Sequence, residues 1–207
     1  MTAPTTTTRP AHHVGVISAD DAPPVADLLA RAFHDDPVVA WGIPDPARRA
    51  VASRRSFAAI LELYVPKGHV YADARRLSAT LWGPPEDGQV RPTGLVRLLP
   101  RLARVYRGRL PLVLAGLARV QRHRPAQAHW YLAYLGTDPD HQGQGLASAV
   151  LTPVLERCDR DRQPAYLEAS KPELVPYYQR HGFEVVRELR LPAGPRLWCM
   201  WRSPRGR

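Results

Sequence analysis

Apolar residues recur along this chain at two spacings, and each spacing predicts a different element. Leu95, Leu98, Leu99, Leu102 and Val105 stand three or four apart, opposite Arg97, Arg101 and Arg104, which predicts an amphipathic helix. The same spacing of Val25, Leu28, Leu29 and Phe33 predicts a helix opened by Asp20 or Asp21 with Pro23 and Pro24, and stopped at 34–37. A third helix is expected over 46–64, with Val51, Phe57, Ile60, Leu61 and Tyr64 for burial and Pro66-Lys67-Gly68 to break it. Pro111 opens another, and further helices are expected over 143–159 and 173–181. Short apolar runs bounded by turn residues predict strands at 14–18, 69–72, 77–82, 129–137 and 165–169. A final hairpin pairs 183–191 with 196–202 around Pro192-Ala193-Gly194-Pro195. Strands, then strand–helix–strand–helix–strand–strand, imply an α/β (α+β) fold with one mixed sheet of about seven strands flanked by helices.

Length and composition narrow the class without naming the chemistry. With 207 residues and 44% apolar content the chain can bury one sizeable core, so 13–207 is expected to be a single domain. Residues 1–12 are Thr- and Pro-rich and hold no apolar stretch, which predicts a disordered tail on a cytoplasmic protein rather than a secretory signal. The longest apolar run, 110–118, is interrupted by Pro111 and spans about half of what a bilayer core requires, so no membrane partner is expected. Cys158 and Cys199 have no second cysteine nearby to suggest a metal pair and are read as reduced core thiols. A net charge of +10 raises the question of an anionic partner. The acid-free run 88–137 concentrates nine of the arginines, but it lacks an interleaved aromatic platform, so it is read as a solvated helical face and no nucleic-acid partner is expected.

The segment that carries chemistry follows the strand ending Leu135-Gly136-Thr137. There Gln142-Gly143-Gln144-Gly145-Leu146-Ala147 opens a helix, and glycines at a helix start leave convergent backbone amides bare for a pyrophosphate. A P-loop is excluded, since no Lys-Ser or Lys-Thr follows the glycines. A dinucleotide fingerprint needs a tight turn straight from the strand, and here five residues, 138–142, intervene.

Gln142-x-x-Gly145-x-Ala147 resembles the coenzyme A pyrophosphate loop of GNAT N-acetyltransferases, and Tyr178-x-x-x-Gly182-Phe183 resembles the ending that those enzymes place after the next helix. From Trp130 to Arg202 the chain is similar to puromycin N-acetyltransferases in Ser148-Ala149-Val150, Leu167-Glu168-Ala169-Ser170, Pro176-Tyr177-Tyr178 and Gly194-Pro195-Arg196-Leu197-Trp198-Cys199-Met200. In the N-terminal half the likeness is confined to Ala32–Pro37 and to the strand before Gly83-Pro84-Pro85, and Leu174 stands where many relatives carry asparagine.

The resemblance implies a mostly antiparallel GNAT-like sheet, acetyl-coenzyme A as acyl donor and no metal. Gln142, Gly143, Gln144, Gly145, Leu146, Ala147 and Ser148 would hold the pyrophosphate, and the amides of Leu135, Gly136 and Thr137, at a bulge where the sheet splays, would hold the pantetheine and polarise the carbonyl. Tyr178 would protonate the leaving thiolate, Glu168 or His129 would take the amine's proton through water, and Phe33, Asp36, Tyr131 and Trp198 would face the acceptor. The implied acceptor is a small-molecule amine such as an aminonucleoside antibiotic, with a peptide or ribosomal acetyltransferase and a non-catalytic coenzyme A-binding module as alternatives. A monomer or homodimer is expected.

Overall fold

The computed structural model describes residues 12–87 and 92–206. The expected tail lies outside them except for His12, as does Arg91 of the arginine run. Seven strands, β1 Val14–Val16, β2 Val70–Asp73, β3 Ser78–Gly83, β4 Trp130–Thr137, β5 Ala165–Ala169, β6 Glu184–Arg190 and β7 Arg196–Arg202, form one sheet in the order β1-β2-β3-β4-β5-β7-β6. Every neighbouring pair is antiparallel except β4 and β5, which run parallel through an intervening helix. The helices are α1 Ala22–Ala32, α2 Pro37–Gly42, α3 Pro46–Tyr64, α4 Pro92–Tyr106, α5 Leu110–His123, α6 Leu146–Arg160 and α7 Val175–Arg180. The architecture is the mixed, mostly antiparallel sheet flanked by helices that the sequence implies.

Three local differences have physical reasons. Pro37 does not simply stop a helix; it opens α2, because Asp36 caps the new helix by accepting from the amides of Val38 (2.9 Å) and Val39 (3.1 Å). Helix α6 starts at Leu146 rather than 143, since Gly143 and Gly145 take left-handed backbone angles (φ 76° and 85°) that a helix cannot contain. Residues Pro172–Leu174 form a 3₁₀ turn, so α7 starts at Val175.

Helices cover both faces of the sheet. On one, Val25, Leu28 and Leu29 of α1 and Phe57 and Leu61 of α3 pack on Val70, Ala79 and Leu81. On the other, Leu151 and Val154 of α6 and Tyr178 of α7 bury Trp82, Trp130, Leu167 and Met200. Each fully buried side chain of this size contributes about 1.5–3 kcal/mol of transfer free energy. A third cluster seats Trp41 of α2 and Val120 of α5 against Tyr166, Leu197 and Cys199.

What positions the site is the parting of β4 from β5. The two pair only from Trp130 opposite Ala165 to Leu132 opposite Leu167, while β4 continues along β3 to Thr137 and β5 along β7 to Ala169. The register of β3 against β4 jumps from Leu81–Tyr134 to Trp82–Leu132, leaving Ala133 without a partner. The bulge expected at 135–137 therefore sits earlier, at Ala133, and this extra residue bends β4 away from β5 where their pairing ends.

Candidate active site

The lip of the parted strands is formed by the turn after β4. Asp138 ties it down, accepting from Arg31 (2.7 and 3.0 Å), from the amide of Asp140 (3.1 Å) and from His141 (3.1 Å). The His141 and Arg31 donors hold its carboxyl below the usual range. A Cβ at Gly143 would meet nothing within 4 Å, so its backbone angle, not crowding, demands glycine, and the loop faces open space. The first intrahelical bond runs from Ala149 N–H to the Gly145 carbonyl at 3.0 Å, which leaves the amides of Leu146, Ala147 and Ser148 free of helical partners at the positive end of α6. Gln142 and Gln144 flank this nest on exposed backbone, and the Gln144 carbonyl accepts from His12 Nε2 at 3.1 Å. Ser148 Oγ meets His181 Nε2 at 3.1 Å and Tyr177 Oη at 3.4 Å, fastening α6 to α7.

Along β4 the residues alternate in what they do. Gly136 is turned to α1, where a Cβ would come within 2.8 Å of Leu29 and 3.1 Å of Ala32. Leu135 packs toward the α6 side, and Thr137 Oγ1 meets Ser78 Oγ at 2.9 Å. Tyr178 lies beneath α6, buried, edge-on to Tyr177 (5.3 Å) and Phe183 (5.9 Å). Burial, and next the neighbouring Tyr177 and Asp36, push its phenol well above the ordinary tyrosine value. No described residue accepts a hydrogen bond from its hydroxyl, so the proton is free to meet a ligand.

The remaining candidates divide between the two faces. Phe33 joins Phe57 (5.5 Å) and Tyr134 (5.7 Å) in an aromatic wall, and Ser56 Oγ meets Tyr106 Oη at 3.2 Å beside it. Asp36 is buried, with one oxygen capping α2 and the other accepting from Ser170 Oγ. Tyr131 donates to Glu168 Oε2 at 2.8 Å, and burial raises its phenol strongly. Trp198 lies opposite Ala169 and packs into the cluster of Tyr178, on the other face from Tyr131 and Glu168.

His129 stands apart from the lip. It precedes β4, six residues from Leu135, or about 20 Å along an extended strand. Its Nδ1 is engaged with the Gln127 carbonyl at 2.6 Å, and its ring is wedged between Tyr166 and Trp201. Burial lowers its pKa.

Two residues escaped the sequence reading. Trp41 donates Nε1–H to the Pro192 carbonyl at 3.1 Å, joining α2 to the β6–β7 turn. Arg124 leaves the end of α5 and turns inward, its guanidinium carbon 3.5 Å from the centroid of the Tyr131 ring and its Nε 3.4 Å from Glu168 Oε1. Its place in an arginine-rich helical run gave no signal of this, because the inward turn comes from the extended backbone after the helix ends. Among the described residues no cluster of three or more metal-ligating side chains occurs, and no helix is long and apolar enough to cross a membrane.

Residues 110–201 match the acetyltransferase (GNAT) domain model. An uncharacterized N-acetyltransferase of Schizosaccharomyces pombe is 27% identical over 179 residues, covering 81% of this chain and 72% of the yeast protein. Among solved structures, one described as histone acetyltransferase HPA2 and related acetyltransferase from Corynebacterium glutamicum superposes with a TM-score of 0.74 at 24% identity, covering 95% of this chain and 98% of its own. An agmatine N-acetyltransferase variant superposes with a TM-score of 0.66 at 18% identity, covering 93% and 99%.

Proposed function

We propose that this chain, which is an acyl-coenzyme A-dependent N-acetyltransferase with a GNAT domain, transfers the acetyl group of acetyl-coenzyme A to the amine of a small molecule of the aminonucleoside or puromycin-like type. The observation that carries the reading is the joint placement of the bare α6 N-terminus and the parting of β4 from β5. The amides of Leu146, Ala147 and Ser148, opened by the left-handed Gly143 and Gly145, fit a pyrophosphate. Beyond Leu132 the edge of β4 that faces β5 is unpaired, so the backbone around Leu135, Gly136 and Thr137 is free to hold an extended pantetheine arm.

Acetyl-coenzyme A supplies an activated thioester. Tyr178, neutral and with a free hydroxyl proton, is the donor to the thiolate as the C–S bond breaks. Glu168 takes the proton of the amine through water as the C–N bond forms; His129, about 20 Å of strand away from Leu135, suits this less. A compact acceptor is supported by α4 and α5, inserted between β3 and β4, and by Trp41, which braces the β6–β7 turn. The name of the agmatine N-acetyltransferase among the structural neighbours points the same way, and the Leu167–Ser170 and Gly194–Met200 matches support a puromycin-like acceptor. The test is release of coenzyme A thiol by purified protein offered puromycin, agmatine, polyamines and short peptides in parallel, with product masses measured. Small amines should turn over; acetylation of peptides alone would replace this reading with a protein acetyltransferase.

A further inference from the structure

Arg124, the last arginine of the acid-free run, stacks its guanidinium on the ring of Tyr131 in β4. Its side chain is only 9% exposed and that of Glu168 only 7%. The pair is not closed in the way buried arginine–carboxylate pairs usually are. A single contact, Nε to Oε1 at 3.4 Å, lies at the long limit of a hydrogen bond, and the other carboxylate oxygen is taken by Tyr131. Among the described residues nothing accepts from the two terminal amino groups of Arg124, which carry four of its five N–H donors. The two groups are not sealed from solvent, so an acceptor oxygen of another molecule can reach them. A cavity of about 310 Å³ reaches Arg124, walled by Arg122, His123, Tyr166, Arg187 and Cys199, with no carboxylate in its lining. Side by side, then, stand a carboxylate able to receive an ammonium and a guanidinium able to receive an oxygen.

We propose that Arg124 determines acceptor choice: its free amino groups grip a carbonyl or carboxylate oxygen of the acceptor while Glu168, through water, faces the amine, so that the preferred acceptors are α-aminoacyl compounds rather than bare polyamines. This rests on the acetyltransferase reading of the same site. The matched probes are phenylalanine amide and phenethylamine, which share ring and amine and differ in the carbonyl group. A site built to hydrogen-bond a substrate group rejects the analogue lacking it by large factors, so kcat/KM of the native enzyme should favour the amide at least about 100-fold. The ratio should fall to within about threefold in Arg124→Met and be partly kept in Arg124→Lys, which retains charge without the planar fork. Calorimetric acetyl-coenzyme A affinity reports whether each variant is intact; should Arg124→Met fail to fold, the native ratio and Arg124→Lys decide. Equal or reversed preference in the native enzyme, turnover of neither probe, or a ratio undiminished in both variants overturns the proposal. Preference-free turnover of both probes and agmatine sinks it alone, whereas absence of turnover with every small amine sinks the function above with it.

Discussion

The proposed mechanism has Tyr178 give a proton to the departing thiolate, so its phenol has first to keep that proton, and burial raises its pKa accordingly. Its raised pKa places its ionisation beyond the alkaline range in which the protein would be assayed, so no alkaline loss of rate up to about pH 10 should trace to this residue. Tyr178→Phe should retain acetyl-coenzyme A affinity by calorimetry and lose kcat by about 10²–10⁴, the usual effect of removing a general acid. Full turnover by that variant would take Tyr178 out of the mechanism. The base is tested at one fixed pH. Glu168→Gln should lower kcat by about 10²–10⁴ with acetyl-coenzyme A affinity kept, whereas His129→Ala should keep kcat, because its ring is wedged between Tyr166 and Trp201 away from the lip. A rate lost in His129→Ala and kept in Glu168→Gln would reverse the assignment. The residues at this scale were legible unequally. Tyr178 and Glu168 stand in short motifs on regular elements that pick them out in sequence, while Arg124 is turned inward by extended backbone after its helix and looks in sequence like any solvent-facing arginine.

Elements add what single residues cannot, and α6 is the case with the sharpest consequence. Its N-terminus holds the nest only because Gly145 is left-handed at the cap, so Gly145→Glu pairs backbone strain with a like charge set against the pyrophosphate of the proposed function. Calorimetry should show coenzyme A affinity falling by at least about tenfold, a change of 1.4 kcal/mol; unchanged affinity in the folded variant would remove the pyrophosphate assignment. The Trp41 clamp makes a separate claim. A Cβ on Gly116 of α5 would sit 2.6 Å from the Trp41 ring, and Gly194 in the β6–β7 turn is equally tight. Gly116→Val gains a few tenths of a kcal/mol in helix propensity, but overpacking costs about 1–3 kcal/mol, so urea unfolding should show net destabilisation. The longer helices were readable because their apolar spacing repeats over several turns. Six-residue α2 was not, since it spans under two turns and Pro37 reads equally as a stop or a start. The parting of β4 and β5 was implied by the GNAT resemblance, but its bulge was displaced, because register is a property of two strands and not of either sequence alone.

Across the whole molecule, three depressed carboxylates fasten segments far apart in the chain. Asp21 joins the start of α1 to Arg76 in the β2–β3 turn, Asp138 joins the lip to Arg31, and Asp159 of α6 accepts both terminal amino groups of buried Arg202 at 2.7 Å. The Ser18 amide and Arg76 hold Asp21 at about 2, and Arg202 holds Asp159 low. In each case the folded pKa lies below the unfolded value of about 3.9, so the stabilisation is complete above that pH and is lost as pH falls through the folded values. His129 and His181, lowered chiefly by burial, work in the same direction at higher pH: below about 6.5 the unfolded chain takes up protons that the folded chain resists. Net charge, +10 at pH 7, grows further in acid and adds self-repulsion to the compact state. Unfolding free energy should therefore decline gently from pH 7 to 5 and steeply from about pH 4 to 2. Asp159→Asn separates the contributions. It should flatten the steep part of the curve, having removed one titrating group, and lower stability at pH 7 by about 3 kcal/mol, because Arg202 is left buried without a counter-charge, with the His181 carbonyl and one amide oxygen as its acceptors. An acid slope identical to the native protein's would show that the Asp159–Arg202 clamp does not govern acid unfolding.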